Sequence, residues 1–555
     1  MSAEQLRRDS VWWGWGRGDG RPELGPATLG LLEAELGPLR PSPRVELTAV
    51  ALPAPREVSA VIVAAAGGGA TLSATDEDRI RHAAGSGYPD LIRLRAGRLD
   101  DAPDAILAPT SAAAVGLLLA ACSAERVAVV PFGGGTSVVG GVEPLRGGLE
   151  ALIALDLTAL RELEVDRRSQ TARLGPGLRG PEAEQGLAER GFTLGHFPQS
   201  FLYATIGGFA ATRSAGQAST GYGRFDELVT SIQMQTPSGP IETGASPHTA
   251  AGPALRELIL GSEGTLGVIT RVTARVRERP QTRRYEAWIA PDFAAGIETA
   301  RELGQGGAAP DVFRLSDRDE TRISLALAGL EGLQKRGLDA YLGLRRRREG
   351  CMLIAGWEGK REAVARRREL TAVALRNGGA VPLGRRAGES WERGRYEGPY
   401  MRDALLDAGV MVETLETAHT YSQIESLYGA VRTALLQAMA AQGTPGLVMC
   451  HVSHVYRDGA SLYFTFLSAQ RPGAELEQWL AVKSAACEAI VAAGGTITHH
   501  HAVGRDHARY MAAEIGELGV ETLRAIKARL DPVGIMNPGK LLPGEPIRRG
   551  TRQTR

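Results

Sequence analysis

At roughly 100–200 residues per domain, a chain of 555 residues has room for two to four domains and buries a core without metal or disulfide staples. Its 64 basic and 63 acidic residues leave a net charge of +1, which excludes a whole-molecule field that would gather nucleic acid. Cys122, Cys351, Cys450 and Cys487 are far apart with no CxxC spacing, which excludes a disulfide framework and a cysteine zinc site and fits a reducing compartment.

The first 75 residues are rich in Gly, Pro and Trp, show little periodicity, and read as an irregular arm laid over later domains. Arg7 and Arg8 precede Trp12-Trp13-Gly14-Trp15 rather than an apolar signal core, and the longest apolar stretches, 59–70 and 112–122, fall short of the ~20 residues of a membrane helix. From 76 to 285 the pattern predicts a helix over 112–124, a strand over 127–130, strands near 152–157 and 171–174, and a helix over 182–190, an α/β or α+β core. From 286 to 505 two similar units follow, strand 351–357, helix 361–376 and strand 380–383, then strands 447–456 and 461–466, helix 476–493 and strand 496–500. This spacing predicts a second domain with an antiparallel sheet covered by helices on one face. The arginine runs 345–348 and 366–368 read as solvated faces. A helix over 512–530 leads into a segment ending Asn537-Pro538-Gly539-Lys540, so 506–545 forms a C-terminal unit, and 546–555 is a basic tail.

Three glycine-bearing segments carry the chemistry of the first domain. Strand 127–130 runs into Pro131-Phe132-Gly133-Gly134-Gly135-Thr136-Ser137, where consecutive glycines let backbone N–H groups approach a phosphate and two hydroxyls add donors. It is neither a GxGxxG fingerprint nor a Walker loop. The second segment contains Gln199, Ser200, Thr205, Gly208, Thr212, Arg213, Ser214 and Ala215; the third contains Glu263, Gly264, Thr265, Gly267, Val268 and Ile269. In this order the three segments resemble the vanillyl-alcohol-oxidase-type FAD-binding family. The resemblance implies an α+β, two-domain fold with an FAD-binding domain over 76–285, an antiparallel-sheet cap covered by helices over 286–505, and a C-terminal segment returning to the flavin. Relatives that attach the flavin covalently use a His in the glycine loop; this loop has none, so noncovalent FAD is expected.

Six of the ten histidines lie between His451 and His507. On a regular strand, alternate residues share a face, so His499 and His501 would point one way and His500 the other, which argues against a shared metal site. Here the chain resembles, over almost its whole length, the alkyldihydroxyacetonephosphate synthase family of flavin-dependent ether-lipid enzymes and its bacterial relatives. The matching residues are Trp13-Gly14-Trp15-Gly16, the Pro131–Ser137 loop, Gly195-His196-Phe197-Pro198-Gln199-Ser200, Phe313-Arg314-Leu315, Met401-Arg402-Asp403, Ser461-Leu462-Tyr463-Phe464 and the histidine triplet. The resemblance assigns phosphate binding to Arg402 and catalysis to Tyr463, His499, His500, His501, Arg314 and His196, with no metal. It implies redox-neutral chemistry, with the flavin N5 bonded to the substrate carbon while the acyl chain of a long-chain acyl-dihydroxyacetone phosphate is exchanged for a fatty alcohol. Strand parity lets either His500 or the His499/His501 pair meet the Tyr463 face, and of the two His500 is expected beside the Tyr463 hydroxyl, lowering its pKa. The expected partners are these two lipids, a membrane surface met through the Trp12–Trp15 arm or the basic tail, and a second copy of the chain in a homodimer, in the cytoplasm at the inner membrane face.

Two other readings stay open. An FAD-linked D-2-hydroxyacid dehydrogenase shares the flavin segments and the Asn537-Pro538-Gly539-Lys540 ending, although its usual metal-holding Glu is replaced here by His500, and seven residues beyond His451 stands Asp458 rather than a second His. The other is a non-catalytic flavin-binding relative, since fold likeness alone does not establish an activity.

Overall fold

The computed structural model describes residues 10–16, 22–65 and 67–544; the basic tail expected over 546–555 lies outside the described residues. Strands β1 (Ala70–Ser73), β2 (Ala105–Pro109), β3 (Val127–Phe132) and β4 (Ala151–Asp156) form a sheet in the order β1-β2-β4-β3. β2, β4 and β3 run parallel, and β1 is antiparallel to β2. β4 is apolar up to Asp156 and buried at every position, as a parallel strand covered on both faces must be. The crossover helix Ala112–Ala124 begins on Ser111, whose Oγ accepts the Ala114 N–H at 3.1 Å, and buries Val115, Leu118, Leu119 and Cys122 against this sheet.

The chain then builds β5 (Leu163–Asp166), β6 (Thr171–Leu174), β7 (Phe192–Thr193), β8 (Val229–Thr236), β9 (Gly239–Glu242), β10 (Val268–Arg275) and β11 (Arg277–Glu278). Five of these make an antiparallel sheet in the order β5-β6-β10-β8-β9, and β7 pairs with β11. The cap holds β12 (Thr282–Ala290), β13 (Val312–Ser316), β14 (Cys351–Gly359), β15 (Val381–Gly384), β16 (Val410–Thr420), β17 (Gly446–Val455) and β18 (Gly459–Ala469), a seven-stranded antiparallel sheet in the order β15-β12-β14-β13-β17-β18-β16. Its helices Phe293–Gln305, Arg361–Asn377, Ile424–Ala441 and Glu475–Ala492 contribute to the largest apolar core of the molecule.

Several expectations change. The stretch 496–500 is not a strand, because the N–H groups of Ile497, His499 and His500 are drawn to the carboxylates of Glu514 and Glu416 instead of a ladder. β12, β13 and β16 were not anticipated. β12 begins at Thr282 and crosses the 285/286 boundary, and β1 places 70–73 in the first sheet rather than in an arm. Trp13 and Trp15 are buried, which removes the Trp12–Trp15 segment as an exposed membrane patch. The Trp15 backbone N–H donates to Asp403 Oδ2 at 2.8 Å, and a Cβ on Gly14 would stand 2.4 Å from the same carboxylate, so only glycine fits there. The arginine runs are not wholly solvated: Arg367 forks onto Asp311 at 2.8 and 2.7 Å, Arg368 reaches Glu286 at 2.7 Å, and Arg347 donates to the Gly379 carbonyl. Near the C-terminus the chain comes back to β3, where Met536 bridges Val129 in parallel and the Asn537 amide donates to the carbonyls of Gly141 (3.0 Å) and Glu263 (2.7 Å).

Candidate active site

A cavity of about 560 Å³ runs between the first domain and the cap. One end is walled by all of Pro131–Ser137, by Gln199, Ser200, Thr205, Gly208, Thr212, Ser214 and Ala215, and by Glu263, Gly264, Gly267, Val268 and Ile269. Among the described residues, no acceptor takes the backbone N–H of Gly134, Gly135, Thr136 or Ser137. The loop lies flat on its neighbour, since a Cβ on Gly134 would stand 2.1 Å from the Tyr203 carbonyl oxygen. A row of unpaired donors in a glycine-lined wall suits the oxygens of a pyrophosphate, and FAD fits this donor set. Glu263 ties the wall together: its carboxylate accepts the N–H of Val503 (2.8 Å) and Gly504 (2.7 Å), while burial pushes its pKa up to about 7. Two residues expected here belong elsewhere. Arg213 turns away to Asp226, Glu257 and the Leu260 carbonyl, and the Thr265 hydroxyl donates to the Ser262 carbonyl, so neither lines the cavity.

The opposite wall is one face of β16, β17 and β18. Register places Val412, Leu467 and Leu447 in one row, Thr414, Thr465 and Met449 in the next, and Glu416, Tyr463 and His451 in the third. Residues two apart on a strand share a face. The wall therefore grades from apolar to polar, and its apolar end continues into Leu32 and Leu36 of the helix Pro26–Leu36.

At the polar end the rings of Tyr463 and His451 stack, with centroids 4.8 Å apart. The Tyr463 hydroxyl hydrogen bonds Thr414, and burial raises its pKa. Arg314 donates to Glu320 Oε1 at 2.5 Å and lies 3.1 Å from His451 Nε2. Burial opposes the charge of Glu320, but Arg314 and His451 outweigh it and hold the carboxyl at about 2. Arg402 is buried in the wall, donating to the Ser86 carbonyl and to Glu413 Oε1, each at 3.2 Å.

The triplet does not obey strand parity. The backbone N–H groups of His499, His500 and His501 all donate to Glu416, at 2.6, 2.8 and 2.7 Å, so the chain wraps one carboxylate and splays the rings. Burial works against the charge of Glu416, yet the three imidazoles and the His500 N–H more than offset it, leaving its carboxyl well below the usual range. His500 and His501 line the cavity. The ring nearest Tyr463 is that of His451, while the His501 and His500 centroids stand at 5.4 and 6.0 Å, so the expected contact between His500 and the tyrosine hydroxyl is replaced by Thr414. His499 lies behind the wall, its Nε2 2.7 Å from the Tyr456 hydroxyl. His196 also lies behind it, bonded to Ser214 Oγ at 3.0 Å and packed on Phe209 and Phe225, with burial lowering its pKa to about 3; it reaches the cavity only through Ser214.

Nitrogens of His454, His499 and His500 come within 4.8 Å of one another. They are already engaged, His454 Nδ1 with Ser219 Oγ at 2.6 Å and His499 through both nitrogens. Thr414, Glu416 and Glu320 carry no signal in the sequence reading, and His451 and His454 enter it only as members of the histidine cluster, without a role.

Residues 279–541 match the family model for the C-terminal domain of FAD linked oxidases, and residues 103–244 match an FAD binding domain. The alkyldihydroxyacetonephosphate synthase of Dictyostelium discoideum is 33% identical over 473 residues, covering 84% of this chain and 77% of that protein. The enzyme of the same name from Trypanosoma brucei brucei is 34% identical over 484 residues, covering 85% and 78%. A solved structure of an alkyldihydroxyacetonephosphate synthase superposes with a TM-score of 0.82 at 28% identity, covering 96% of this chain and 99% of that one.

Proposed function

This chain belongs to the alkyldihydroxyacetonephosphate synthase family, and we propose that, with FAD as cofactor, it exchanges the acyl chain of an acyl-dihydroxyacetone phosphate for a long-chain alcohol. One carbon–oxygen bond to the acyloxy group breaks, one to the alkoxy group forms, and the alcohol proton leaves with the fatty acid, so there is no net oxidation. When bound, FAD supplies the chemistry that holds the substrate carbon between these two events.

The observation that carries this reading is the graded face of β16–β18 opposite the flavin loops. A long apolar chain lies along Leu447, Leu467 and Val412, while the polar headgroup meets Thr414, His451 and Tyr463. Tyr463, kept protonated at rest by burial and held by Thr414, takes the proton of the substrate carbon, with Arg402 favouring the phenolate. The flavin is held without a covalent bond, because the Gly133–Ser137 loop offers hydroxyls and no attaching His. It should leave the protein on acid precipitation; colour retained in the pellet would contradict this.

Anaerobic incubation of the holoprotein with palmitoyl-dihydroxyacetone phosphate and hexadecanol tests the reaction. The expected result is the hexadecyl ether and palmitate by mass, with the flavin oxidised at the end. No ether product, together with bleaching of the flavin by a D-2-hydroxyacid, would establish the dehydrogenase instead. The same reading has the lipids collected at a membrane surface. No helix among the described residues is long and apolar enough to cross a membrane, but Leu327, which lines the apolar end of the cavity, is half exposed, and Leu333 and Leu344 beyond it are 84% and 83% exposed.

A further inference from the structure

A hydrogen-bonded chain runs away from the cavity behind His500. His500 Nδ1 stands 3.0 Å from His499 Nδ1, His499 Nε2 stands 2.7 Å from the Tyr456 hydroxyl, and Arg224 hydrogen bonds that same hydroxyl. Arg224 is itself fixed, donating from Nε to Asp226 Oδ1 and from a terminal nitrogen to the Arg213 carbonyl, both at 3.1 Å. Neither Arg224 nor Tyr456 lines the cavity.

The polarity of this chain runs one way. A guanidinium only donates, so the Tyr456 oxygen accepts from Arg224 and its own hydrogen is left for His499 Nε2. A neutral imidazole has one N–H, so His499, accepting at Nε2, carries its hydrogen on Nδ1 and donates to His500 Nδ1. His500, accepting at Nδ1, then carries its hydrogen on Nε2, which has no protein partner among the described residues. Glu416 is the other group that could claim these hydrogens. Its oxygens stand 3.5 Å from His500 Nδ1 and 3.8 Å from His499 Nδ1. Oε1 is taken by the Thr498 hydroxyl and the N–H groups of His500 and His501. Oε2, the oxygen nearer the two rings, accepts the His499 N–H at 2.6 Å and lies beyond ordinary N–H···O distance from either Nδ1, whereas the two Nδ1 atoms are 3.0 Å apart. Burial lowers the pKa of His499 to about 3 and that of His500 below its ordinary value, which favours the neutral form of both rings.

We propose that Arg224, Tyr456 and His499 are positioning residues that lock His500 as the Nε2–H tautomer, presenting a hydrogen-bond donor to the cavity. That this donor faces the departing acyloxy oxygen rests on the exchange reading above; the tautomer does not.

The test is nitrogen NMR of perdeuterated, 15N-histidine-labelled holoprotein, with the His500 signals assigned by their loss in His500→Gln. The expected result is a protonated Nε2 and a bare Nδ1 on His500, and a mixture of tautomers in Tyr456→Phe, which keeps the ring and loses only the hydroxyl. A protonated Nδ1 in the wild type, an unchanged tautomer in Tyr456→Phe, or a stoichiometric metal ion bound through these nitrogens would overturn the proposal. Exchange assays on the same samples read the role separately. Tyr456→Phe should lose at least about 10-fold in kcat with its flavin spectrum and thermal midpoint unchanged. Arg224→Lys, which still donates to the Tyr456 oxygen, should keep the wild-type tautomer, and Arg224→Met should lose it. A lost tautomer with undiminished kcat would overturn the donor role while leaving the exchange activity standing, and a wild type without exchange activity still shows its tautomer.

Discussion

Arg402 braces the two halves of the molecule, one nitrogen on the Ser86 carbonyl of the first domain and another on Glu413 of β16, while lining the cavity. A planar fork can hold both partners and still offer an edge to a phosphate, whereas an ammonium is a point charge that cannot. Arg402→Lys is therefore expected to raise KM for the acyl substrate at least about 10-fold, with the ion pair to Glu413 kept and little change in thermal midpoint. Steady-state kinetics with a melting curve check this, and an unchanged KM would leave Arg402 as a brace alone. At the same scale, the resemblance placed Tyr463, Arg314 and Arg402 in residues that do line the cavity, but it gave no means of knowing that Thr414, not His500, meets the tyrosine hydroxyl. That contact depends on which residue β16 sets beside β18, a register no local pattern specifies.

The element that makes the lipid end is the three-strand face of β16–β18, and its rows can be edited one at a time. Val412→Phe adds bulk to the apolar row without adding polarity. The expected outcome is a larger loss of kcat/KM for hexadecanol than for octanol, measured in parallel assays; equal losses would show that the chain does not lie along this row. Elements with strong local signals were legible, among them Ala112–Ala124, β3, β4, β17 and β18, where apolar runs meet turn residues. β16 was not, because Glu413 and Glu416 interrupt its apolar pattern, and both are buried there only through long-range partners: Arg402 and Trp479 for the first, the histidine turn for the second. The 496–500 segment failed in the opposite sense. Its composition suits a strand, but two carboxylates, Glu514 for Ile497 and Glu416 for His499 and His500, take N–H groups that a ladder would use.

For the whole molecule, buried neutral imidazoles set the response to acid. His196, His499 and His507 are held down to about 3 by burial, whereas in the unfolded chain each titrates near 6.5. Between those values the unfolded state binds more protons, so stability falls as pH falls, by up to ~1.4 kcal/mol per pH unit for each such histidine. Glu416, depressed below its ordinary value, adds a loss of the same sign once pH drops under the unfolded carboxylate range. The thermal midpoint of the holoprotein is expected to drop steeply between pH 6.5 and pH 4.5, and a flat profile across that interval would contradict this arrangement. The parallel bridge of Met536 to Val129 has a consequence in time. β3 ends its sheet, so its outer edge stays open until Met536 arrives, and Asn537, which ties the Gly141 and Glu263 carbonyls together, follows Gly141 by 396 residues. At about 5–20 residues per second the ribosome needs roughly 20–80 s to cover that distance, so the glycine loop waits that long for its clasp.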